Sequence, residues 1–137
     1  MSTATLTNHA ATVGKLYEAF GRGDIPFILN HIADDCKFVG AGEGVLPQGG
    51  TYIGKDAVNF FKKLGDNVEF ETFQPRSIKN IDTNEVVAFG YMAGKSKTTG
   101  KRSSSDWVMH WKFNDEGKAV YFQDFFNTAS AYIANQQ

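Results

Sequence analysis

Four β-rich runs fill the second half of this chain, and they come after a first half patterned as helices. "NVEFETFQ", "NEVVAFGYMAG", "SSDWVMHWKF" and "KAVYFQDFFN" are dense in branched and aromatic residues. "KSKTTGKR" joins the second to the third, and the turn "NDEG" leads into the fourth. In the first run Val68, Phe70 and Thr72 alternate against Glu69, Glu71 and Phe73. Consecutive strands joined by hairpins pair antiparallel. Such a sheet needs a cover for its apolar face, and the helices that precede it supply one.

The helical half is well punctuated. Val13, Leu16, Tyr17 and Phe20 recur at helical spacing, and Thr7 or Asn8 can cap the start. In "GRGD", Gly21 suits a left-handed helix exit and Asp24 the cap of the next helix, with Pro26 in its first turn. Helix punctuation therefore accounts for these residues better than an integrin-binding tripeptide does. The second helix carries Ile25, Ile28, Leu29 and Ile32 on one face and ends near "ADD", which leaves Asp34 and Asp35 solvated. "CKFV" reads as a short strand. "GAGEGVLPQGG", residues 40–50, has no helix at the right distance and no Gly-Lys-Ser/Thr, so it is read as a lid or rim over a cavity and not as a phosphate cradle. "GKDAVNFFKKLG" is a third helix with Ala57, Phe60, Phe61 and Leu64 inward and a stop at Gly65; "TASAYIA" is a short tail helix. The order α-α-β-α-β-β-β-β predicts an α+β fold, one domain over 1–137, with helices on one face of an antiparallel sheet.

Composition narrows the function. The 137 residues are enough for one real core, and a net charge of −1 carries no basic stripe for nucleic acid. Lys95, Lys97, Lys101 and Arg102 gather at one hairpin tip and read as a solvated turn. The single cysteine, Cys36, cannot form an internal disulfide, the opening "MSTATLTNHA" lacks the pattern of a signal peptide, and no run is long enough to span a membrane. A cytoplasmic location and no membrane partner are expected. Three scattered histidines and one cysteine give no metal-ligand spacing, so neither metal nor cofactor is expected. Twelve phenylalanines imply either a dense core or a core with a lined cavity inside it.

"YFQDFFNTA" sets Asp124 among aromatic rings. Alternation puts it on a face with Val120, Phe122 and Phe126, opposite Ala119, Tyr121, Gln123 and Phe125. Burial raises a carboxyl pKa, which is what proton transfer near neutral pH requires. Asp124 is thus either an acid/base in an apolar cavity or a structural acid bonded to backbone amides or a tyrosine hydroxyl.

"VGKLYEAFGRGDI", "GTYIGKDAVNFFKKL" and "GKAVYFQDFFNTA", taken with the element order, resemble the SnoaL-like branch of the nuclear transport factor 2-like superfamily. The resemblance implies a cone: a curved antiparallel sheet wrapped around the N-terminal helices, with an apolar pocket and a homodimer formed through the outer sheet face. The branch includes ketosteroid isomerases, polyketide cyclases, epoxide hydrolases, dehydratases and non-catalytic domains. "FQDFFN" is similar to the cyclase and epoxide hydrolase stretch that carries a catalytic aspartate, which falls on Asp124. Tyr17 sits where ketosteroid isomerases place an oxyanion donor; otherwise it is an apolar ring of the helix stripe whose hydroxyl reaches a surface. The resemblance also turns the Trp107, Met109, Trp111 and Phe113 face of its strand into the cone, and Asp106, Val108, His110 and Lys112 outward. With a reversed face, His110 would be a base. Phe20, Phe38, Phe60, Trp107, Met109, Trp111 and Phe122 are the expected substrate-binding residues.

The departures from the family pattern restrict the chemistry. The ketosteroid isomerase base falls near Gly40 and its second acid near Met109; the epoxide hydrolase arginine and aspartate fall near Gly90 and Met92. Neither activity transfers. Asp124 would work with Tyr17, with Glu43 of the glycine loop, or with water. The expectation is a pocket for a small apolar molecule, used by a cofactor-free isomerase, cyclase or lyase. A non-catalytic binding domain and a dimeric association domain are the alternatives.

Overall fold

The computed structural model describes residues 8–137. Helix α1 spans His9–Gly21; its cap is Asn8, whose side chain accepts from the Ala11 N–H at 3.1 Å. The other predicted cap, Thr7, lies outside the described residues. Helix α2 is only Ile25–Leu29, capped by Asp24, whose carboxylate accepts from the Phe27 N–H at 3.2 Å. The left-handed residue between the helices is Gly23, with φ of 75°, and not Gly21, which remains helical.

Ile32, Asp34 and Asp35, expected in α2 and at its end, belong instead to strand β1, Ile32–Gly40. A short strand that the sequence reading did not separate from the glycine loop follows: β2, Gly50–Ile53. A single 3-10 turn then leads into helix α3, Ala57–Asn67, which runs past the expected stop at Gly65. The four late strands are β3 (Val68–Asp82), β4 (Glu85–Ser96), β5 (Arg102–Phe113) and β6 (Ala119–Phe126); helix α4, Thr128–Ala134, closes the chain. The predicted α+β class and element order are observed.

The strands form one sheet in the order β2-β1-β6-β5-β4-β3. All neighbours are antiparallel except β1 and β6, which run parallel. β3 is nearly twice the length of the run that predicted it, and its pairing with β4 slips three times, between Phe70 and Thr72, Pro75 and Ser77, and Asn80 and Asp82. Each slip adds bend and twist, which curves the long hairpin around the helices. The first slip also changes faces. Glu71 becomes the extra residue, so Phe73 joins Phe70 on the inner face in place of Thr72. A similar slip at the start of β6 pairs Phe113 with Ala119, which makes Ala119 fully buried and Val120 the extra residue, against the alternation expected there.

The core sits between the concave side of the sheet and helices α1, α2 and α3. Val13, Leu16 and Tyr17 of α1 pack with Ile28, Phe38, Phe60, Trp107 and Trp111. Among the described residues no helix is long and apolar enough to cross a membrane.

Candidate functional site

A cavity of about 120 Å³, open on one side, lies inside the cone. Three regions of the chain meet around it. Tyr17 and Phe20 come from α1, Phe38 from β1 and Phe60 from α3; Met109, Trp111, Phe122 and Asp124 come from the paired strands β5 and β6. Six of the seven expected binding residues therefore line it. Their rings interlock: Phe38 stacks on Phe122 at 4.3 Å, Trp111 meets Phe122 at 4.6 Å, and Phe38 meets Phe60 at 5.1 Å.

Trp107 is the seventh and lies outside the lining. Its indole is buried in the sheet-side core, stacked on Phe73 at 5.1 Å. The reason is Gly90: a Cβ there would sit 2.2 Å from the Trp107 ring, so the absent side chain is the space the indole occupies. Gly90 and Trp107 are direct cross-strand partners. An arginine at position 90, as in the epoxide hydrolases, has no room.

Asp124 faces the cavity and is 8% exposed. Its Oδ1 accepts from the Ala41 N–H at 2.6 Å. Burial pushes its carboxyl up to about 6, against the pull of the Ala41 hydrogen bond and of its own backbone amide. The acid is therefore both tied to backbone, as the structural reading expected, and poised near neutral pH, as the proton-transfer reading expected. β1 and β6 make the contact inevitable: Phe38 pairs with Phe122 and Val39 with Gln123 in parallel register, so the chain leaving β1 passes beside Asp124.

Tyr17 is buried, and its hydroxyl stays inside the cone without reaching a surface. It accepts from the Trp111 indole N–H at 3.1 Å and donates to Met109 Sδ at 3.3 Å. Met109 is the cross-strand partner of Asp124. Burial holds the Tyr17 phenol well above its ordinary value, offset by the Trp111 hydrogen bond and reinforced by the Asp124 charge. Such a phenol keeps its proton and acts as a donor. A thioether is a weak acceptor, so a ligand oxygen can displace it.

The glycine loop forms part of the wall. Leu46 and Gln48 line the cavity, whereas Glu43, the expected helper, is exposed. The loop folds back tightly: a Cβ on Gly49 would fall 2.3 Å from the Gly42 carbonyl carbon, and Gly42 has a φ of 89°. Gly40 is equally crowded, with a Cβ there 2.7 Å from the Phe60 ring, so no acid fits where ketosteroid isomerases carry their base. Leu46 and Gln48 are buried on either side of exposed Pro47, and no sequence periodicity in the glycine-rich loop marks this wall.

Farther along, Ser103, Ser105, Asn127 and Ser130 give the cavity a polar side next to α4. His110 points away from it, as the family resemblance implies, with Nε2 2.7 Å from Glu85 Oε2. At the hairpin tip Lys95 lies 3.9 Å from Glu69 and Arg102 3.0 Å from Glu71, while Lys97 and Lys101 each donate to a backbone carbonyl at 2.6 Å.

No curated protein sequence matches the chain. A family model described as a SnoaL-like domain matches residues 13–122. Among solved structures, an NTF2-like protein of Burkholderia thailandensis is 25% identical, with a TM-score of 0.85 over 96% of this chain and 99% of that one. An NTF2-like protein of Burkholderia pseudomallei is 26% identical, with the same TM-score and coverage of 96% and 99%. TerC, co-crystallized with polyporic acid, shares the fold at 24% identity and a TM-score of 0.81, over 94% of this chain and 98% of its own.

Proposed function

The chain belongs to the SnoaL-like domain family, and we propose that it holds a small apolar carbonyl compound in its cavity and moves a proton on it with Asp124, as a cofactor-free isomerase, cyclase or lyase. One observation carries this reading: a lone carboxylate faces an aromatic cavity, with one oxygen fixed by Ala41 and its pKa brought to about 6 by burial. Near neutral pH it is mostly ionised and ready to accept. A C–H bond next to the ligand carbonyl breaks, its proton goes to the Asp124 carboxylate, and the electron pair moves onto the carbonyl oxygen. The Tyr17 O–H, released from Met109, donates to that oxygen as it gains charge. The aromatic wall excludes water and holds the ring. Return of the proton to another atom completes an isomerisation.

The test is deuterium incorporation beside the carbonyl of butyrophenone in heavy water. Exchange that Asp124→Asn abolishes supports the reading. Binding without exchange supports the non-catalytic alternative, which the scarcity of other polar groups around Asp124 favours: Gly40, Gly90, Met92 and Met109 stand where relatives of other activity carry theirs. Absence of binding overturns both.

We propose in addition that the outer sheet face forms a homodimer. Phe89, Val108 and Phe125 are cross-strand neighbours in one row, and Phe89 and Phe125 are 46% and 47% exposed. Sedimentation of the wild type as a dimer, and of Phe125→Glu as a folded monomer, is the expected result; a wild-type monomer overturns it.

A further inference from the structure

Gln48 carries a buried side-chain oxygen, Oε1, with no hydrogen-bond partner among the described residues. The residue is 6% exposed and lines the cavity. A buried amide without a partner is costly, and native chains keep one where something else completes it. Its backbone carbonyl is engaged: it accepts from the Tyr52 hydroxyl at 2.9 Å. That bond anchors the residue, so the free amide is not the by-product of a loose loop. Its terminal torsion is broad and two-fold, so it can turn either its C=O or its N–H toward a ligand at little cost.

Its place relative to Asp124 follows from strand order. β6, which carries Asp124, lies between β1 and β5. On the β5 side, Met109 is the cross-strand partner of Asp124 and holds the Tyr17 hydroxyl. On the β1 side, a Cβ on Gly40 would sit 2.9 Å from the Gln48 carbonyl oxygen, and the next residue, Ala41, donates to Asp124. Tyr17, Gln48 and Asp124 therefore line the same cavity, with Tyr17 reached from the β5 side of Asp124 and the Gln48 backbone beside the β1 end that holds it. Among the described residues nothing bonds the Gln48 side-chain oxygen.

We infer that Gln48 is the second polar anchor of the cavity and selects ligands with two oxygen functions, one on each side of the carbon that faces Asp124. Tyr17 takes one oxygen and the Gln48 amide takes the other. This rests on the proposed function and sharpens it, because a C–H between two carbonyls is far more acidic than one beside a single carbonyl, and so suits a base as weak as a carboxylate. The ligand class is a 1,3-dicarbonyl compound, or its enol, carried on an apolar ring.

Benzoylacetone and butyrophenone test the inference, since they share the phenyl ring and the first carbonyl and differ by the second. The wild type is expected to bind benzoylacetone about five- to tenfold more tightly, the effect of one hydrogen bond to a buried amide. Gln48→Met, close in length and volume, should erase that preference, read as the ratio of the two affinities within each protein. In the wild type the Gln48 side-chain NH2 signals should shift with benzoylacetone and stay in place with butyrophenone, a readout that does not depend on the variant folding. A preference that survives Gln48→Met, or NH2 signals that ignore benzoylacetone, overturns the inference while butyrophenone binding leaves the proposed function standing. If neither ketone binds, the proposed function falls and this inference with it.

Discussion

The two faces of the β5–β6 hairpin treat charge in opposite ways. On the outer face His110 meets Glu85 at 2.7 Å, the Tyr121 ring lies against His110 at 5.4 Å, and the Lys112 ammonium lies over the Tyr121 ring at 5.3 Å. On the inner face Asp124 stands among Phe122, Phe126 and Met109 with backbone amides as its support and, among the described residues, no cation paired with it. Each strand contributes alternate residues to both faces, so backbone geometry is common to the two. What differs is solvation. A charge near water that has a partner gains little and loses little. A charge in an aromatic cavity has its ionised form destabilised, and that makes it useful for proton transfer.

The largest effect is expected from Asp124→Asn. If the inner carboxylate is the base, deuterium exchange into butyrophenone should fall roughly a hundred- to ten-thousand-fold, the usual contribution of a positioned acid or base. Proton NMR of the ketone measures it. An unchanged rate would reduce Asp124 to the same passive role as the outer-face charges.

Packing comes next. Trp111→Ala should cost about 3–5 kcal/mol, because the indole is buried against Phe122 and its N–H holds Tyr17. Lys112→Ala, one residue away on the other face, should stay within about 0.5 kcal/mol. Guanidinium unfolding of the two variants compares the faces directly, and equal losses would break the distinction.

Titration sharpens it further. The folded Asp124 carboxyl titrates at about 6 and the unfolded one at ~3.9, so the folded state takes up the proton first as pH falls. Its contribution to stability therefore rises from about pH 7 down toward pH 4 and levels off below, by an amount on the order of 2–3 kcal/mol. Asp124→Asn should remove this term. Unfolding free energies of the two proteins across that window test it; parallel curves would mean that the cavity does not desolvate the acid.

The smallest effect is expected outside. Glu85→Gln removes the charge opposite His110 in a pair whose side chains are 27% and 31% exposed, and should cost no more than about 1 kcal/mol. A larger loss by thermal unfolding would show that the outer pair is far better shielded than its exposure implies.

Much of this was legible in the residues. The Asn8 and Asp24 caps, the helical stripe through Val13, Leu16 and Tyr17, and the division of β5 into a Trp111 face and a His110 face all follow from local pattern, while the choice of the inner face comes from the family resemblance. The errors cluster where pattern is interrupted. Alternation grouped Thr72 with Phe70 and Val120 with Phe122; the slips at Phe70/Thr72 and Lys112/Phe113 gave those places to Phe73 and Ala119. A bulge moves every later side chain to the other face, and its cause lies in the partner strand, not in the run itself. In the site, Asp124 and six of the seven expected residues line the cavity, while Glu43 is exposed and Gln48, which also lines it, sits in a loop with no period to read.

The sequence by itself determined the element order, the caps, and which side of its own helix or strand most residues occupy, because periodicity and capping are set by neighbours a few positions away. Only the tertiary structure decided what each side faces. It put the Trp107 indole in the space over Gly90, brought the Ala41 N–H to Asp124 through the parallel pairing of β1 with β6, parked the Tyr17 hydroxyl on Met109, and left the Gln48 side-chain oxygen without a partner among the described residues. Those contacts join residues separated by tens of positions, and they exist only once the sheet has curved and closed over the helices.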